Sequence, residues 1–90
     1  MHVDTVTELL LSYLNSNYSN YFSAVVVTKN TDGIGYRSLE FTYNAYLIEV
    51  RVYNSQFIKV SVDNEPGKVF DSYSSVRTEI DRLAQRLDIY

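Results

Sequence analysis

The sequence predicts an α+β fold of order α-β-β-β-β-α: an antiparallel meander of four strands, or three, with two helices packed on one face. Three observations carry that prediction. Apolar residues recur at three- and four-residue spacing near both ends of the chain. They alternate with polar residues through the middle. Asn, Asp, Ser and Gly cluster between the alternating runs. With 90 residues, a second core would leave each half too little apolar surface to bury, so 1–90 reads as one domain.

The first helix rests on Val3, Val6, Leu10, Tyr13 and Leu14, which share one helical face, with Leu9 widening it. Thr5 followed by Glu8 fits a capping box, and Asp4 is the competing N-cap. The Asn- and Ser-rich residues 15–20 compete for backbone hydrogen bonds and are expected to end the helix. Residues 22–28 read as a strand. The run Val25, Val26, Val27 predicts cover on both faces or a central position in the sheet. Residues 30–35 form a turn in which Asp32-Gly33 supplies the positive φ that a hairpin needs.

Residues 36–43 alternate, with Leu39, Phe41 and Tyr43 on one side and Ser38, Glu40 and Thr42 on the other. After a reversal at Asn44-Ala45, residues 46–53 point Ile48, Val50 and Val52 inward and Glu49 and Arg51 outward. Counting back from that reversal, Tyr43 opposes Tyr46, Glu40 opposes Glu49 and Ser38 opposes Arg51. A turn at Asn54-Ser55 leads to residues 56–62, with Ile58, Val60 and Val62 inward. Pro66 forbids a continued strand in the loop 63–67, and residues 68–70 form an extended lead-in. In the last helix Val76, Ile80, Leu83 and Leu87 form the apolar stripe. Arg77, Glu79, Asp81, Arg82, Gln85, Arg86 and Asp88 cover the rest, and Ser72 or Ser74 caps it.

The same residues exclude several function classes. There is no cysteine, so disulfides, thiolate zinc sites and thiolate catalysis are ruled out. His2 is the single histidine and sits at a terminus, a poor foundation for a catalytic triad or a metal site. Residues 28–33 follow the start of an EF-hand loop, but Thr28 stands where Asp is needed and Leu39 where Glu is needed, so an ordinary hairpin turn is expected. No cofactor is implied, and the aliphatic inward set predicts a non-enzymatic chain.

A net charge of −3 disfavours direct binding to nucleic acid or anionic membranes. Arg37, Arg51 and Lys59 are interleaved with Glu40 and Glu49 rather than clustered. No apolar run, Leu9-Leu10-Leu11 included, is long enough to span a bilayer. The N-terminal residues lack the pattern of a signal peptide, which with the absence of cysteine predicts a cytoplasmic location.

Function is therefore expected on the outer sheet face. Tyr36, Leu47, Tyr53 and Phe57 fall outside the helix-covered core beside Glu40, Glu49 and Arg51. The loop carrying Asp63 and Glu65 adds acidic groups. Nine tyrosines in 90 residues suit such a recognition surface; an AT-rich coding sequence is the alternative source. A patch of this kind predicts a protein partner with a basic surface, or a homodimer. The competing expectation is that the segment with Tyr18, Tyr21 and Phe22, or the strand twist, covers it.

No residue motif points to a named family. At the level of architecture alone, the acidic αβ…βα chain resembles small inhibitors encoded by phages and mobile elements, including some anti-CRISPR proteins. That resemblance implies a non-catalytic inhibitor that occupies a nucleic-acid or effector surface of a host machine, in the host cytoplasm.

Overall fold

The computed structural model describes residues 3–19, 22, 25–30, 35–43, 46–54, 56–63 and 65–86. Helix α1 (Val3–Tyr18) leads into strands β1 (Val26–Asn30), β2 (Tyr36–Tyr43), β3 (Tyr46–Asn54), β4 (Phe57–Val62) and β5 (Lys68–Phe70), and helix α2 (Tyr73–Arg86) follows. The strands form one antiparallel sheet in sequential order, β1-β2-β3-β4-β5. The expected meander is present, and the segment read as a lead-in to α2 is its fifth strand.

Period-2 alternation decides which face is closed. Leu39 and Phe41 of β2, Ile48, Val50 and Val52 of β3, and Ile58, Val60 and Val62 of β4 all point to one side. Val6, Leu10 and Leu14 of α1 and Val76, Ile80, Leu83 and Ala84 of α2 meet them there in a single core. The expected pairs Glu40 with Glu49, Ser38 with Arg51 and Tyr43 with Tyr46 are the observed register of β2 on β3.

Several local expectations are overturned by tertiary contacts. Helix α1 begins at Val3, so Asp4 lies in its first turn and Thr5 cannot act as the N-cap. Asp4 instead pairs with Arg37 of β2 at 2.8 Å, which places Arg37 on the helix side of the sheet. The Asn/Ser cluster does not stop α1 at 15. Asn17 Nδ2 donates to the Tyr13 carbonyl, and Tyr18 is held by α2, so the helix runs to Tyr18. Leu9 is on the rim, exposed beside the core rather than inside it. Strand β1 starts four residues later than expected and is an edge strand. Val26 and Val27 are exposed, because a strand with one neighbour at the sheet margin has little to cover it.

Ser72 caps α2, accepting from the Ser75 backbone N–H at 3.2 Å. Glu79, expected on the solvent side, is buried against the Lys68 end of β5. The turn residues 31–34, the reversal at 44 and 45, Ser55, Asn64, Tyr21, His2 and the positions of Leu87 and Asp88 lie outside the described residues.

Candidate functional site

Both helices pack on one face, so the other face of the sheet carries no element over it among the described residues. Tyr18 and Phe22 do not cover it. Phe22 stacks between Tyr18 and Phe41 in the core, with ring centroids 5.0 and 4.7 Å apart. Leu47, Phe57, Val69 and Val26 are left 44%, 45%, 55% and 56% exposed. Their partners in register place all four on this outer face: Val26 opposite Glu40, Leu47 opposite Thr42, Val69 opposite Lys59, and Phe57 alternating with Ile58.

The strand geometry draws Tyr36, Tyr53 and Phe57 into a continuous aromatic ladder across β2, β3 and β4. The Tyr36 and Tyr53 rings lie 5.1 Å apart, and Phe57 meets Tyr53 edge-on at 5.2 Å. Beyond Phe57 opens a groove of about 550 Å³ lined by Tyr53, Asn54, Phe57, Lys59, Gly67 and Val69. Lys59 runs along it. Its stem crosses Gly67 so closely that a Cβ at that position would lie 2.3 Å from Lys59 Cε. The glycine is what admits the lysine to the groove.

Next to the ladder sits an internally compensated charge cluster. Glu49 and Arg51 project from the same face of β3, with Nε 3.1 Å from Oε2. The buried Nε itself has no acceptor in bonding geometry. Ser38 Oγ donates to Glu49 Oε2 at 2.9 Å, and the Arg51 guanidinium lies 4.9 Å from the Tyr36 ring centre. Hydrogen bonding to Tyr53, and then the Glu49 carboxylate, hold the Arg51 guanidinium above its ordinary range. The Arg51 charge thus offsets the repulsion expected between Glu49 and the opposing Glu40. Glu40 and Lys59 make no ion pair among the described residues.

The structure therefore brings together six of the expected residues: Tyr36, Glu40, Glu49, Arg51, Tyr53 and Phe57. Leu47 lies on the same face at the far end of β3. Asp63 has a structural task beside it. It adopts a φ of 47°, and its side-chain Oδ1 accepts from the Leu47 N–H at 2.6 Å. The Asp63 N–H donates to the Leu47 carbonyl at 2.7 Å. Glu65 belongs to a different surface and pairs with Arg86 of α2 at 3.2 Å.

Sequence reasoning missed Lys59, Gly67 and Val69 as a group. The outward direction of Lys59 is legible in its alternation with Ile58 and Val60. Three residues of β5 are too few to show any alternation, so the groove it completes is not. Among the described residues no helix is long and apolar enough to cross a membrane, and no three His, Asp or Glu side chains gather as a metal site. The chain matches no known protein-family model, no curated protein and no solved structure.

Proposed function

We propose that this chain is a non-enzymatic protein-binding module that docks its partner on the outer sheet face. The observation supporting this reading is the aromatic ladder Tyr36–Tyr53–Phe57 running into the groove beside Val69. Contiguous aromatic and apolar side chains on an uncovered face, with polar groups at defined positions among them, are the composition of protein interfaces. The charge cluster narrows the chemistry. With Glu49 engaged by Arg51, Glu40 is the carboxylate that offers a partner's basic group a contact. The architecture suggests the biological form of this reading: a mobile-element inhibitor that covers an effector surface of a host machine in the cytoplasm.

Differential capture tests it. The chain and its Phe57→Glu/Val69→Glu variant are immobilised side by side and exposed to host extract. A protein retained by the first and lost by the second supports docking on this face. Equal retention by both overturns it.

A further inference from the structure

On the reading that the outer sheet face is a protein-docking surface, we propose that its occupant is a second copy of this chain, related by a two-fold axis that crosses β3 near Val50. The argument starts from what a partner must supply. Among the described residues the face carries two carboxylates, Glu40 and Glu49, and two cations, Arg51 and Lys59. The central two compensate each other. Glu40 and Lys59 remain, both half-buried. A docked protein that left them unpaired would desolvate two charges with nothing in return, which is strongly unfavourable. The occupant must therefore bring a cation opposite Glu40 and an anion opposite Lys59, at the same separation.

The face itself has that reciprocal pattern. Glu40 stands opposite Glu49 on one flank of β3, and Lys59 stands opposite Arg51 on the other, one pleat repeat further along. A two-fold axis lying in the face and crossing β3 between Glu49 and Arg51 carries Glu40 of one copy onto Lys59 of its partner, and Lys59 onto Glu40. The contact is isologous, so a single complementary pair forms twice and the assembly closes as a dimer. The axis runs oblique to the strands, and the two sheets pack crossed rather than aligned. Leu47, Phe57, Val69 and Val26 surround the charged centre and supply apolar area. Capture of another protein and self-association compete for the same face in this arrangement.

Charge exchange tests it. Sedimentation equilibrium across micromolar to sub-millimolar concentrations is run on the unmodified chain, on Glu40→Lys, on Lys59→Glu and on the double variant, with circular dichroism confirming that each is folded. The expected result is a dimer. Each single reversal breaks both symmetry-related contacts and raises its dissociation constant about tenfold or more, and the double reversal restores it. A strict monomer overturns the second copy as occupant while leaving docking on this face to the capture experiment. A dimer that none of these variants changes, and that survives Phe57→Glu, forms through another surface and likewise overturns the second copy as occupant of this face, while docking there is decided by the capture experiment.

Discussion

Tyr18 of α1 donates its hydroxyl to Asp81 Oδ1 of α2 at 2.5 Å, and Tyr13, one and a half turns earlier, donates to the same oxygen at the same distance. One carboxylate oxygen thus ties the end of α1 to the middle of α2. Arg77 lies over the Tyr13 and Tyr73 rings at 5.2 and 5.3 Å and completes the seam. Five of the tyrosines are divided between two tasks, with Tyr36 and Tyr53 on the outer face and Tyr13, Tyr18 and Tyr73 joining the helices.

Removing the shared acceptor should therefore be costly. Asp81→Ala leaves two part-buried hydroxyls without their partner and is expected to lower stability by about 2–3 kcal/mol, whereas Tyr18→Phe costs about 1 kcal/mol. Urea unfolding of both variants checks the ratio. Equal losses would show that the two hydroxyls do not share the load.

The same seam sets an alkaline limit. Burial first, then hydrogen bonding to Asp81, raises the phenol pKa of Tyr13 and Tyr18 above the ordinary 10.0. In the unfolded chain both ionise near that ordinary value, so the stability they contribute is fully present below it. It is lost as pH rises from there towards the raised folded values. Urea midpoints should fall steeply in that window, and Tyr18→Phe should flatten the fall.

Glu79 sets the acid limit. Arg82 grips its two oxygens at 2.7 Å each and Lys68 approaches at 3.7 Å, so hydrogen bonding to Arg82 lowers the Glu79 pKa despite the opposing effect of burial. Its contribution is present above the unfolded glutamate value of ~4.3 and is lost as pH falls through the lowered folded value. Glu79→Gln should reduce stability at neutral pH and shrink the difference from the unmodified chain at acid pH, as read by urea midpoints.

Asp63 separates backbone from side-chain effects. Asn tolerates φ 47° and keeps an acceptor for the Leu47 N–H, so Asp63→Asn is expected to change stability by under about 0.5 kcal/mol. Asp63→Ala loses the acceptor and strains the backbone, at about 1–2 kcal/mol. A thermal melt that ranks Ala with Asn would overturn the role assigned to the carboxylate.

Gly67 is the lever on the groove. A methyl group there meets the flexible end of Lys59 rather than backbone, so Gly67→Ala should cost less than about 1 kcal/mol in stability. It should still displace Lys59 from the groove and weaken self-association in the direction of Lys59→Glu. Paired melting and sedimentation measurements check that the two effects separate.

The elements from α1 to β4 and the last helix, the two faces of β2, β3 and β4, and the register that sets Glu40 against Glu49 and Ser38 against Arg51 are legible in the amino-acid sequence. Side-chain direction in a strand repeats every two residues, and a short reversal fixes the count between neighbours, so both are local properties. What each end of the sheet does depends on contacts between segments far apart in the chain. The valine run of β1 looks central by composition but lies at an edge. Residues 68–70 become a strand because β4 offers them a ladder. Helix α1 outlasts its Asn/Ser cluster because Asp81, 63 residues beyond Tyr18, holds the last turn in place. The joining of Tyr53, Phe57, Lys59, Gly67 and Val69 into one groove is likewise non-local. It depends on which strands meet, and the apolar core on the opposite face, not the groove residues, selects that pairing.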